Sequence, residues 1–83
     1  MVEITVVATD ILTSVGSAIR QVREDRQISQ EELGVRAELD RSYISSVENG
    51  RRNVSLLNLQ KISEALGVSL TEIIQLAEDR ILK

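Results

Sequence analysis

The 83-residue sequence contains no cysteine and no histidine. Their absence removes disulfides, thiolate chemistry and the usual zinc ligands, and nothing else sets a redox compartment beyond compatibility with the cytosol. Catalysis is a poor reading for the same reason. Histidine and cysteine are unavailable as base and nucleophile, there is no glycine-rich phosphate loop, and the carboxylates form no constellation beyond helix-surface charges. We therefore expect no enzyme activity, no cofactor, no metal and no small-molecule ligand. Tyr43 is the one aromatic residue, so the 42% hydrophobic content must build its core from Leu, Ile, Val and Ala, a helical composition. No apolar run approaches the roughly 18 residues that span a bilayer. Val2 to Ala8 also lacks the charged start and length of a signal peptide. These features predict a soluble, cytoplasmic protein with no membrane partner.

Excess positive charge is also lacking. The net charge is −3 and the isoelectric point lies near 4.9, which counts against nucleic-acid binding, where phosphate contacts supply most non-specific affinity. The distribution weakens that objection. Residues 1–19 carry −2 and residues 62–83 carry −2, while residues 20–61, with eight basic and seven acidic side chains, carry +1. Eight of the ten basic residues are arginine, the side chain suited to bidentate phosphate or guanine contact.

That least acidic region contains the most structured stretch of the sequence, Ser29 to Gly50. Ser29 and Glu32 fit a reciprocal capping box, so a helix should begin at Gln30. Leu33 and Ala37 lie four apart on one stripe, and Leu39 follows as a plug in the turn. Asp40 is placed to cap a second short helix, with Ile44 and Val47 buried and Asn49-Gly50 as its stop. Two helices with a connector of about three residues have helix-turn-helix spacing.

Several sequences in this stretch carry a wider resemblance: Ser29-Gln30-Glu31-Glu32-Leu33, then Gly34, then Tyr43-Ile44-Ser45 and Val47-Glu48-Asn49-Gly50-Arg51-Arg52. The chain resembles, from about Ile19 to Ile74, the Cro/repressor-like helix-turn-helix family of XRE-type regulators. The resemblance implies a compact, all-α, five-helix repressor-like domain whose second and third helices form the DNA-binding motif. It also implies that Arg23 pairs with Glu48 in a largely buried bridge fixing the first helix to the third. One departure is Glu38, which stands where the family usually takes glycine. If that turn needs positive φ, Glu38 stores strain of roughly 1 kcal/mol.

Around the motif, Met1 to Thr9 reads as an N-terminal arm, either a short strand or a frayed terminus. Residues 10–83 form the DNA-binding domain. Thr9 or Asp10 should cap a first helix that runs to about Arg26 with Leu12, Val15, Ile19 and Val22 on one face. Arg20, Arg23 and Arg26 lie on its outer face, where Glu24 and Asp25 offer local partners. Ser55 should cap a fourth helix, Leu56 to Leu66, with Leu56, Leu59, Ile62, Ser63 and Leu66 on its packed side and Gly67 as its stop. Ser69 and Glu72 repeat the capping-box spacing and open a fifth helix. Its apolar set is too wide for a small domain, so Leu70, Ile74, Ala77, Ile81 and Leu82 are expected to pair with a second copy. A chain this short buries only about 60 to 65% of its unfolded surface, and pairing would add stability.

On the third helix, the face opposite Ile44 and Val47 is centred on Ser42 and Asn49, with Ser45 and Ser46 beside them. Small hydroxyl residues let a helix approach the groove closely but read bases weakly. Arg41, at the helix start, is the expected direct reader of a guanine. Tyr43 on the flank either packs at the domain edge or offers its hydroxyl to a phosphate. Gln30 should bond a phosphate together with its helix N-terminus. Arg51 and Arg52, in the following loop, are either a solvated pair or phosphate clamps.

The expected function is a homodimeric, sequence-specific regulator on double-stranded DNA, acting by occupancy of an inverted repeat. Leu39-Asp40-Arg41-Ser42-Tyr43-Ile44-Ser45 looks like the recognition sequence of restriction–modification controller proteins. A phage-type repressor fits almost as well, and an antitoxin-like interaction module is a third reading.

Overall fold

Helix α1 (Ala8–Asp25) presents Val15, Ala18, Ile19 and Val22 as one buried stripe, the four positions returning to the same face at helical spacing. It is followed by α2 (Gln30–Ala37), α3 (Arg41–Glu48), α4 (Leu56–Leu66) and α5 (Leu70–Ile81). This computed structural model describes the backbone of residues 8–81 and the side chains of residues 11–81, and no strand occurs among them. The all-α, five-helix expectation therefore holds for the described residues.

The start of α1 differs from the sequence expectation. Thr9 and Asp10, read as its cap, already have helical backbone, so the proposed arm loses Ala8 and Thr9. The rest of that arm lies outside the described residues.

Side-chain capping explains the starts of α2, α4 and α5. Ser29 accepts the Glu32 amide at 3.0 Å, but the reciprocal half of the box is not made, because the Glu32 carboxylate instead accepts from Arg36 at 2.8 Å. Ser69 and Glu72 complete both halves, at 3.1 and 3.3 Å. Ser55 accepts from the Asn58 amide at 3.0 Å. Asp40 occupies the N-cap position of α3 with extended backbone, yet its side chain makes no capping bond. Arg26, expected on a solvated face, donates through Nε to the Leu66 carbonyl at 2.5 Å and so satisfies the C-terminus of α4.

The core lies where the helices converge, with Ala18, Ile19, Leu33, Ile44, Ile62, Ile73 and Ala77 wholly buried. Helix α5 lies chiefly along α1, α2 packs on α3 and α4, and α3 also packs on α1. At that last contact Gly16 allows the closest approach, since a Cβ there would stand 2.6 Å from the Glu48 carbonyl oxygen. Gly50 closes α3 with φ of 71°, and a Cβ there would meet Thr13.

Two apolar placements correct the sequence reading. Ala77, expected in a dimer interface, is 0% exposed and belongs to the chain's own core, because α1 takes up part of the wide apolar face of α5. Leu56, expected on the packed side of α4, is 72% exposed, and Leu57 beside it is 62% exposed. Leu56 sits in the first turn at the edge of the stripe, which leaves it uncovered. Leu82 lies outside the described residues.

Candidate nucleic-acid interface

The turn between α2 and α3 sets the geometry of the site. Glu38 adopts the left-handed conformation, φ 58° and ψ 44°, so the residue standing in the family's glycine position does require positive φ. The Leu39 amide returns to the Gly34 carbonyl at 2.8 Å, and its half-buried side chain packs on the core. Burial of Ile44 and Val47 then turns the opposite face of α3 outward: Arg41, Ser42 and Asn49 are exposed, and Ser45 and Ser46 half-buried.

Arg41, Ser42, Tyr43 and Arg52 line one open concavity of about 600 Å³ between α2 and α3. Glu31, Glu38 and Asp40 share its wall, so the two arginines are the cations in an otherwise acidic rim. Tyr43 is held on both sides. Its hydroxyl accepts a hydrogen bond from Asn58 Nδ2 at 3.0 Å, and the Arg52 guanidinium lies 5.1 Å from its ring centroid. The tyrosine thus orients Arg52 by a cation–π contact, and its hydroxyl is not free in water as the edge-packing reading supposed. Arg51 is also exposed, while its amide returns to the Ser46 carbonyl at 2.9 Å and anchors the loop.

A second group of residues meets beneath the far end of α3. Glu48 is 3% exposed, and its carboxylate accepts four hydrogen bonds. Arg23 donates through Nε to Oε2 at 2.6 Å and through Nη2 to Oε1 at 2.9 Å. Gln30 Nε2 donates to Oε1 at 3.1 Å, and Arg20 Nε donates to the same oxygen at 3.3 Å. The family-implied bridge between Arg23 and Glu48 is therefore present. Burial would push the Glu48 carboxyl up, but the bonds from Arg23, Gln30 and Arg20 together with the Arg23 charge outweigh it and hold the group below the ordinary glutamate value. The Glu48 bond in turn raises Arg23 above its ordinary value, against the opposing effect of burial.

This network ties down two residues expected to meet DNA directly. Gln30 gives one N–H of its side-chain amide to Glu48, leaving the other N–H and the first backbone amides of α2 for a phosphate. Asn49 donates to the Ser45 carbonyl at 2.9 Å and accepts from Arg20 Nη2 at 3.1 Å. The sequence reading missed Arg20 and Asn58. Arg20 lies three residues before Arg23, on the same helix face, a signal that pointed to a shared partner. Asn58 gave no local signal, since its role depends on how α4 meets α3.

Among the described residues, no group of three or more Asp, Glu, His or Cys side chains is placed to hold a metal ion. No described helix is long and apolar enough to cross a membrane.

Comparison with known proteins gives a consistent result. A family model described as helix-turn-helix matches residues 19–73. The chain is 46% identical to control protein C.MunI of Mycoplasma sp over 65 residues, covering 77% of this chain and 88% of that protein. It superposes on the restriction-modification controller protein C.AhdI from Aeromonas hydrophila with a TM-score of 0.74 and 42% identity, covering 75% of this chain and 94% of the other. It also superposes on the restriction-modification controller protein C.Esp1396I, solved as a tetramer in complex with its natural 35 base-pair operator. That match has a TM-score of 0.81 and 33% identity over 88% of this chain and 96% of the other.

Proposed function

The chain belongs to the helix-turn-helix family, and from that premise we propose that it is a DNA-binding transcriptional regulator that controls restriction–modification gene expression as a homodimer. It acts in the cytoplasm by occupying an operator, without catalysis. Helix α3 enters the major groove, α2 crosses the backbone, and the two-fold axis matches an inverted repeat with half-sites roughly 34 to 36 Å apart.

One observation carries this reading: α3 turns a face of arginine and small hydroxyl residues to solvent while its apolar face is fixed in the core. Arg41 reads a base, Ser42, Ser45 and Ser46 allow close approach, and Arg51 and Arg52 hold the flanking backbone. Pairing uses the exposed Leu56 and Leu57 together with the half-buried Leu70 beside them and Ile74 one turn further along the face of Leu70.

Selecting bound fragments from random DNA and footprinting the strongest tests the proposal. A single protected inverted repeat is expected, and Arg41→Ala should relax preference at one base pair per half-site by about 1 to 3 kcal/mol. Binding without sequence preference would overturn the regulator reading. Uniform loss across all sequences on mutating Arg41 would overturn its role as reader.

A further inference from the structure

We propose that Arg20 is a contact to the DNA backbone phosphate, held ready by Glu48 and Asn49; this rests on the reading of α3 as the groove helix. The cluster beneath α3 contains two guanidiniums and one carboxylate, so one positive charge remains unbalanced. The geometry places it on Arg20. Arg23 takes the short bidentate pairing and its side chain is 12% exposed, whereas Arg20 has one longer bond to Glu48, 3.3 Å, and its side chain is 43% exposed. Among the described residues no ion pair joins Arg20 to Glu24, one turn along the same helix.

Position selects the ligand. Asn49 belongs to the exposed face of α3 that continues through Ser42, Ser45 and Ser46, and Arg20 Nη2 is bonded to its side-chain oxygen at 3.1 Å. Gln30, bonded to the same carboxylate, brings the N-terminus of α2 to the same place. A half-exposed guanidinium fixed at the edge of a groove-facing helix, beside a helix N-terminus, is suited to an anion that runs along the groove rim. On double-stranded DNA that anion is the phosphate. Asn49 is then a positioning residue: both functions of its amide are engaged, one to the Ser45 carbonyl and one to Arg20.

The test measures binding of Arg20→Gln to the selected operator duplex and to a random duplex of equal length, across salt. The expected loss is similar on both sequences. The slope of log affinity against log salt should become shallower by about 1.8 per dimer, two contacts at about 0.9 each. Variant and parent should accordingly converge about 12-fold between 50 and 200 mM salt. Arg20→Lys should restore the slope, and Asn49→Ala should weaken binding with the slope unchanged. A lower melting temperature for Arg20→Gln with an unaltered slope would make Arg20 purely structural and overturn the proposal. Arg41→Ala serves as the internal control. If the parent itself shows no operator preference for that variant to lose, the reading of α3 fails, whatever Arg20 does.

Discussion

Glu48 is the residue on which three helices depend. Its carboxylate is buried, and it is stable as an anion only because α1 supplies Arg20 and Arg23 and α2 supplies Gln30. Replacing one member of such a pair leaves the other charge uncompensated, so Glu48→Gln should cost about 3 kcal/mol or more in urea unfolding. The pH dependence has a definite sign. A carboxyl depressed in the folded state contributes stability above its unfolded value, about pH 4.3, and loses it as pH falls through the lower folded value. The gap in stability between parent and Glu48→Gln should therefore be largest near neutral pH and shrink below about pH 4. A gap that does not change with pH would show that the carboxylate charge contributes nothing. The pairing with Arg23 was accessible through the family resemblance, and Arg20 was accessible through its spacing. The contribution of Gln30 was not, because a glutamine at a helix start reads equally well as a free polar group.

Helix boundaries were legible wherever a side chain caps its own helix. Ser29, Ser55 and Ser69 each accept the amide three residues on, and α2, α4 and α5 begin where those residues predict. The start of α1 was not legible, since Thr9 and Asp10 suit a first helical turn as well as a cap. The turn before α3 holds the main local strain in the motif. Glu38 has a Cβ in a left-handed conformation that glycine adopts freely. Glu38→Gly should thus stabilise the domain by up to about 1 kcal/mol, part of the strain relief being offset by a more flexible unfolded chain. For a domain of this size the full gain of about 1 kcal/mol would raise the melting temperature by roughly 4 to 8 °C, which is the upper limit of the effect. Operator preference should be unchanged, because the side chain is not among the proposed readers. An unchanged or lower melting temperature would mean that the glutamate is held there without strain.

At the scale of the whole molecule, the acidic net charge makes pairing part of binding. A single protomer offers few cations, so its affinity for one half-site should be weak, and linking two protomers raises overall affinity by an effective-concentration factor of about 10² to 10⁴. The sequence located the surplus apolar surface on α5 because that helix has the wider apolar set. It could not show that α1 covers Ala77, or that the first turn of α4 overhangs the core and leaves Leu56 and Leu57 in solvent. The exposed pair is the better candidate for the partner's face. Leu57→Glu should leave the fold of the protomer intact, since the side chain is already 62% exposed, while converting dimer to monomer in size-exclusion with light scattering. Operator affinity should fall by at least two orders of magnitude, with the preferred half-site sequence retained. Ile81→Glu, at the α1–α5 edge beside Thr13 and Ser14, should leave the dimer in place. The opposite outcome, monomers from Ile81→Glu and a persistent dimer from Leu57→Glu, would return the interface to the end of α5.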